Sequence, residues 1–277
     1  GVSQDKELNY MKISAIVPVF NGAFTLSRCL GALMGSDYPD FECIVVDDGS
    51  TDGSQDIARQ YPVRLLQLGQ GPHGPAYARN QGAEAAEGDL LLFIDADVVV
   101  YPDTLTRFAA AFMRWPRVDA IFGSYDDMPF HTGLVSQYKN LIHHFVHQHG
   151  NPQAQTFWSG CGAIRRAVFR EVGGFDAGRY PRPSIEDIEL GYRLTLTGHT
   201  IRLDKEIQVK HLKRWTLKGM IKTDVFDRAI PWTMLSLQDR CLPDDLNLRL
   251  SQRVSALLAC ALLVYLALSP FIWFPRR

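Results

Sequence analysis

The sequence predicts an α/β domain built on a mostly parallel sheet with helices on both faces. Three observations carry that expectation. Short apolar, β-branched runs alternate with segments of helical apolar spacing from about residue 12 to residue 125. The first two runs stop at turn residues, Asn21-Gly22 and then "GSTDGS". Polar and acidic residues gather where strands stop, at Asn21, Asp47, Asp48, Asp95 and Asp97. In such sheets ligands collect at the carboxyl ends of the strands.

Each element has its own signal. "KISAIVPVF" (12–20) reads as a strand and "TLSRCLGALM" as a helix. "FECIVVDD" (41–48) is a second strand, "SQDIARQY" a helix and "VRLLQL" a strand. "GPAYARNQGAEAA" is Ala-rich and helical, and "DLLLFIDAD" is a further strand. Pro102 opens a helix running to about Phe112, and "DAIFGSY" is a strand. After about residue 125 the rhythm changes. Residues 133–150 have the spacing of an amphipathic helix, "WSGCGAIRRAVFREVGGF" reads strand, turn, helix, and "PSIEDIELGYRLTLTGH" has a polar start and a helical apolar stripe.

Composition sets limits. Of 277 residues, 46% are hydrophobic and 21% charged, enough for a real core. The formal net charge of -1 leaves no nucleic-acid footprint. The five cysteines are scattered without CxxC spacing, which speaks against a disulfide framework or a zinc site and for a reducing compartment. No GxGxxG follows the first strand, so a dinucleotide-binding turn is excluded. No GK[ST] follows "VVDDGSTDGS", so a Walker loop is excluded too.

The acids are the chemical signal. A buried carboxylate is costly unless it is paired or bound to a cation. Asp95 and Asp97 stand at i and i+2, on one face of a strand end, where both can reach one hard cation of the Mg²⁺ or Mn²⁺ type. Arg79 and Asn80 fall near a helix start, where a cation and helix amides suit a diphosphate. Glu186 and Asp187 open a helix; alone they read as acids favoured by the helix dipole, and Ser184 with Asp187 fits a capping box.

Taken together, "SAIVPVFNG", "VVDDGSTDGS", "GPAYARNQGAEAAEGDLLLFIDAD", "SGCGAIRRAVFREVGGFD" and "EDIELGYRL" resemble, in order and spacing over about residues 12–215, the inverting glycosyltransferases of family 2. The resemblance implies the GT-A fold, a nucleotide-diphospho-sugar donor (UDP favoured, GDP open) and a divalent metal, Mn²⁺ or Mg²⁺. By position, Pro18, Phe20 and Asn21 match the nucleotide contacts of the first strand. Asp48, with Asp47 beside it, matches the acid that reads the nucleobase, and Arg79 the basic residue next to that base. Asp95 and Asp97 match the DxD pair, with Asp97 the metal ligand and Asp95 nearer the ribose. Asp187 matches the general base, with Glu186 or Glu189 as support. A base implies a hydroxyl acceptor on a glycan or glycolipid. The alternatives are a polyprenyl-phosphate acceptor, which needs no base, and a non-catalytic nucleotide-sugar-binding scaffold.

"HLKRW" resembles the family's QxxRW signature, with His211 in place of Gln. That departure speaks against processive polymerisation and puts His211 forward as a further metal ligand, with Arg214 and Trp215 bordering acceptor and diphosphate. His131, His143, His144, His147 and His149 read as a polar helix face near the acceptor cleft, with acceptor or lipid-phosphate contact as the alternative. Lys210, Lys213, Arg214, Lys218 and Lys222 fall in a stretch without an acid, suited to anionic lipid. The uncharged run from Val254 to Phe274 is long enough to span a bilayer. The expected organisation is a polar tail (1–10), a catalytic domain (11–218), an amphipathic interfacial region (219–252) and a transmembrane helix (253–275) at the end of a truncated membrane protein. The catalytic domain is expected on the cytoplasmic face, where nucleotide sugars are supplied.

Overall fold

The computed structural model describes residues 11–238 and isolated positions between 254 and 269. Strand β1 (Ile13–Val19) pairs in parallel with β2 (Phe41–Asp47) on one side and β4 (Leu90–Ile94) on the other, and β3 (Arg64–Gln67) extends the sheet beyond β2. Helices α1 (Ala23–Met34), α2 (Ser54–Ala58) and α3 (Pro75–Ala85) make the crossovers. Both faces of this half are covered. Ile13, Ala15, Val17 and Val19 pack with Leu26 and Leu30 of α1 and Phe108 of α4 (Thr104–Arg114), while Ile16 packs on the other face with Ala78 and Phe93. That is why the strands read as continuous apolar runs instead of alternating ones.

The second half departs from the expected parallel order. The strands run β3-β2-β1-β4-β8-β6-β9-β5, with β8 (Cys161–Arg165) antiparallel between β4 and β6 (Ala120–Tyr125). The sheet is therefore mixed, and only its first half is the parallel sheet that the βα rhythm implies. The reversal has a use. Because β8 is antiparallel, it starts beside the end of β4, with Cys161 opposite Ile94. Residues leading into it thus arrive next to Asp95 and Asp97. Strand β9 (Ile201–His211) pairs with β6 in parallel, and with β5 (Val98–Val100) and β7 (Gln153–Ala154) in antiparallel. The short β5 carries no strand signal beyond pairing itself, whereas β9 alternates apolar and polar residues as a half-buried strand does; the sequence reading missed both.

Four further helices complete the described fold before the C-terminal stretch: α4 above, α5 (Leu134–Gln148), α6 (Arg166–Glu171) and α7 (Glu186–Leu196). Then α8 (Leu217–Lys222), a π-helical segment (Thr223–Ala229) and α9 (Ile230–Gln238) run on without a break. This stretch bridges two helices. Lys139 of α5 pairs with Asp224, while on the α7 side Ser184 Oγ donates to the Asp227 carbonyl at 2.9 Å and Trp232 Nε1 donates to Tyr192 Oη at 2.7 Å. Among the described residues no helix is long and apolar enough to cross a membrane. The expected tail (1–10), the end of the interfacial region (239–252) and more than half of the expected transmembrane run (253–275) lie outside the described residues.

Candidate active site

One cleft of about 1450 Å³ opens at the ends of β1 and β4, and Asp48, Asp95, Asp97, Glu186, Asp187 and His211 all line it. Ligand pockets of about 300–1,000 Å³ hold one small molecule; this cleft has room for two.

Its first wall is the β1–α1 turn. Asn21 sits at φ 52°, a left-handed backbone that Asn tolerates better than most residues. The loop after β2 fastens it. Ser50 Oγ accepts from Asn21 N at 2.9 Å, and Asn21 Oδ1 accepts from Thr51 N at 2.8 Å. Asp52 accepts from Ala23 N at 2.9 Å and Ser54 Oγ from Gly22 N at 3.0 Å. Helix α1 has no capping side chain of its own, so "GSTDGS" supplies the acceptors its first turn needs. Pro18, Phe20 and Asn21 line the cleft as expected, with Phe20 exposed.

Asp47 and Asp48, neighbours at a strand end, go opposite ways. Asp48 lines the cleft, but its carboxylate already accepts from His73 N at 2.9 Å and Gly74 N at 2.8 Å and meets His73 Nδ1 at 2.9 Å. A Cβ on Gly71 would lie 2.2 Å from the Asp48 carbonyl, so this loop needs glycine there. Asp47 is fully buried and accepts from Gln55 Nε2 at 2.7 Å and Ser50 N at 3.2 Å. It does not line the cleft. The expected nucleotide contact at Asp47 is thus replaced by a loop brace, a consequence of strand alternation that a doubled acid hides in sequence.

Arg79 is buried and bridges two acids. It donates to Asp95 Oδ1 at 2.7 Å and to Glu186 Oε1 at 2.8 Å. Burial works against its charge, but Asp95 and Glu186 outweigh burial and raise its pKa. Sequence places Arg79 beside a nucleobase; the structure engages its guanidinium between the end of β4 and the start of α7. Burial, and the charge of Asp97, push the Asp95 carboxyl up against the pull of Arg79. Burial works against Asp97 as well, but His211 and Lys213 outweigh it and hold that group below its usual range.

His211 Nε2 lies 3.6 Å from Asp97 Oδ2, and its ring stacks on Tyr125 at 4.1 Å and 8°. The β5–β9 pairing, Val98 opposite His211, sets that approach. Among the described residues no group of three or more His, Cys, Asp or Glu is arranged to hold a metal by itself.

At the start of α7 the two acids separate. Glu186 is tied to Arg79 and accepts from Ser184 N at 2.9 Å. Asp187 faces the cleft, accepting at Oδ2 from Ser159 N at 3.1 Å and Ser159 Oγ at 3.2 Å, and at Oδ1 from Ile188 N at 2.9 Å. Burial and the neighbouring Glu186 push its pKa up to about 6. The expected capping box is not formed: the Ser184 hydroxyl donates to the Asp227 carbonyl instead. Glu189 takes no part, because it pairs with Arg193 at 2.6 Å. Ser159 opens the "SGCGAIRRAVFREVGGFD" segment but is given no role there by sequence; it arrives through the reversed strand β8.

Arg214 and Trp215 line the cleft, with Trp215 N donating to Ser136 Oγ at 2.8 Å. The α5 histidines turn toward β6: His144 Nδ1 meets the Tyr125 carbonyl at 2.8 Å and His147 Nδ1 the Gly123 carbonyl at 2.9 Å, while the His143 ring lies 4.3 Å from that of Tyr125. Burial holds His143 and His147 well below the usual imidazole range, His147 at about 4. His143 and His147 line the cleft as neutral rings.

Comparison with known proteins agrees with this architecture. The chain is 32% identical over 232 residues to validoxylamine A glucosyltransferase of Streptomyces hygroscopicus subsp. jinggangensis, covering 70% of this chain and 54% of that one. It is 38% identical over 109 residues to the poly(ribitol-phosphate) beta-N-acetylglucosaminyltransferase TarS of Staphylococcus aureus, covering 37% of this chain and 19% of that one. The chain thus spans less than two-thirds of these relatives. In fold it resembles S. aureus TarS 1-349 in complex with UDP-GlcNAc, with a TM-score of 0.60 at 24% identity over 74% of this chain and 60% of that one. It also resembles the mannosyltransferase PcManGT of Pyrobaculum calidifontis in complex with GDP-Man and Mn²⁺, with a TM-score of 0.57 at 22% identity over 74% and 58%. The model of "Glycosyl transferase family 2" matches residues 14–173. With more than half its length inside that match, the chain belongs to glycosyl transferase family 2.

Proposed function

We propose that this chain transfers a sugar from a nucleoside-diphospho-sugar to a hydroxyl of a glycan or glycolipid acceptor, inverting the anomeric carbon. The observation that carries this reading is Asp187: a cleft-facing carboxylate, oriented by Ser159, with its pKa pushed up to about 6. A general base works best when its pKa lies near the operating pH. Asp187 takes the acceptor's hydroxyl proton as that oxygen bonds to the anomeric carbon, and the bond from that carbon to the diphosphate breaks. The electron pair leaves with the nucleoside diphosphate. An acceptor that is already a phosphate anion would need no such base, so Asp187 favours the hydroxyl reading over polyprenyl phosphate.

The donor belongs beside β1 and the DxD turn, against Pro18, Phe20, Asn21 and Asp48. The relative named for glucosyl transfer and the fold neighbour bound to UDP-GlcNAc favour a UDP-sugar, and the GDP-Man neighbour keeps GDP in play. A carboxylate held anionic, with an imidazole nitrogen 3.6 Å away, is a donor set that suits Mn²⁺ or Mg²⁺ once substrate oxygens complete it. Asp97 and His211 would hold that ion, with Asp95 beside it, where it would neutralise charge growing on the leaving diphosphate.

The same reading puts the enzyme at the cytoplasmic surface of a membrane. Leu217, Ile221, Phe226, Ile230 and Leu237 are exposed along the C-terminal helices, in the same stretch of sequence as Lys213, Arg214, Lys218 and Lys222. Two measurements test the proposal. A panel of nucleotide sugars with Mn²⁺ or Mg²⁺ should raise the melting temperature for one donor and give an inverted product with a hydroxyl acceptor; a retained configuration or no turnover with any donor sinks it. Co-sedimentation with anionic vesicles should succeed and weaken with salt; absence of binding removes the membrane part alone.

A further inference from the structure

We propose that Lys139, Lys213 and Arg228 form a phosphate-binding subsite around Trp215, inside the cleft and beside the reacting centre. The inference rests on the glycosyl-transfer reading and adds a chemical feature of a substrate to it.

These cations come from three separate elements: α5, the turn after β9 and the π-helical segment. All three line the cleft. Two stand over one indole, with Lys213 Nζ 4.4 Å and Lys139 Nζ 5.6 Å from the Trp215 ring centre. Arg228 joins through Asp224, whose Oδ1 lies 4.0 Å from Arg228 Nη1 and also pairs with Lys139 Nζ. Among the described residues, Asp224 is the carboxylate that contacts any of the three. Lys139 and Arg228 thus share one acid, while Lys213, which also acts on Asp97, stands beside them at the indole. Burial, with Arg228 and Lys213 close by, holds the Lys139 ammonium below its usual range despite Asp224.

Like charges gathered this closely repel unless an anion joins them. A ring face offsets part of the repulsion through cation–π attraction. The Trp215 backbone is fixed by Ser136, yet its Nε1–H is buried and finds no acceptor among the described residues. A buried donor without a partner is an expense a protein rarely leaves standing. A phosphate oxygen answers both needs, taking charge-assisted bonds from the ammonium and guanidinium groups and one from the indole. Asp224 then acts as a stand-in counter-ion that the phosphate displaces. The phosphate has two sources of the same chemistry: a phosphate carried by the acceptor, or the donor's departing diphosphate.

Titration calorimetry on the full chain, with inorganic phosphate as the probe, reads the subsite. Lys139→Ala and Arg228→Ala should each weaken phosphate binding about tenfold. Asp224→Asn removes the competing carboxylate and should tighten it, an opposite sign that general damage to the fold would not produce. Phosphate that still binds at saturating UDP and Mn²⁺ assigns the subsite to the acceptor. Phosphate excluded by UDP, with UDP itself weakened in the Lys139 and Arg228 variants, assigns it to the leaving diphosphate. Unchanged phosphate affinity in the alanine variants, or weaker affinity in Asp224→Asn, overturns the proposal. Donor hydrolysis by the same preparations keeps the two readings apart. Turnover without phosphate binding removes the subsite and spares glycosyl transfer; phosphate binding without turnover of any nucleotide sugar does the reverse.

Discussion

Two acid pairs meet at Arg79 in the lining of the cleft, and they are built alike. At the end of β4, Asp95 is tied to Arg79 and Asp97 is left to the cleft; at the start of α7, Glu186 is tied to Arg79 and Asp187 is left to the cleft. The difference lies in what surrounds each remaining acid. His211 and Lys213 keep Asp97 below the usual carboxylate range, whereas burial and Glu186 raise Asp187 to about 6. One site holds a standing negative charge; the other holds a group able to take up a proton near neutral pH. When environments push two like groups apart in this way, they point to different roles. Arg79 links the two halves, so the spacing between the charge-holding turn and the base is set by one guanidinium.

The strongest way to break the comparison is Asp187→Asn. If Asp187 is the base, turnover should fall by about 10²–10⁴-fold, measured with the donor identified by the nucleotide-sugar panel. An equal loss in Asp97→Asn alone, with Asp187→Asn active, would reverse the assignment. The same variant has a second signature. The native-state pKa of about 6 lies above the unfolded value, so between roughly pH 4 and 6 the folded chain keeps a proton that the unfolded chain has lost. Stability therefore falls as pH rises through that window, and Asp187→Asn should flatten this fall in urea titrations while raising stability at pH 7.

Arg79→Met comes next. It leaves Glu186 buried without its cation and Asp95 half-supported, at an expected loss of about 3 kcal/mol in unfolding free energy. Because Arg79 also pulls the Asp187 pKa down, the acid limb of the rate profile should move to higher pH in any folded preparation. A stable variant with an unmoved limb would show that the two acid pairs are independent. In the unmodified enzyme that limb should appear near pH 6, with kcat/KM dropping about tenfold per unit below it.

The comparison also shows why part of this site could be read from sequence and part could not. β1, β2 and β4 are apolar runs ended by turn residues, so their ends, and with them Asn21, Asp48, Asp95 and Asp97, could be located from pattern alone. Asp47 could not be told from Asp48, because adjacency gives no hint of which acid turns to the cleft. Ser159 is given no role by sequence, and His211 is put forward only through the resemblance of "HLKRW", for a topological reason. Ser159 reaches Asp187 only because β8 runs backwards, and His211 reaches Asp97 only through the β5–β9 pairing. Neither strand direction nor strand partner is encoded in local periodicity. Lys139 and Arg228 belong to the same class, since three distant elements must meet before their charges form a cluster.

The finest test is at Glu189, two residues beyond Asp187 on the same first turn. By sequence it is one of two acids, with Glu186, available to support the base. In the structure it is buried against Arg193, which also donates to the Val172 and Gly174 carbonyls at 2.6 Å. That arrangement secures α7 to the turn after α6 and points no charge at the cleft. Glu189→Gln keeps an acceptor for Arg193 and loses the charge assistance, so about 1 kcal/mol of stability should go while kcat stays within about twofold at 25 °C. A large drop in kcat with unchanged stability would mean that the base is held by the whole helix turn and not by Ser159 and Glu186, and the division between cleft acids and packing acids on α7 would have to be redrawn.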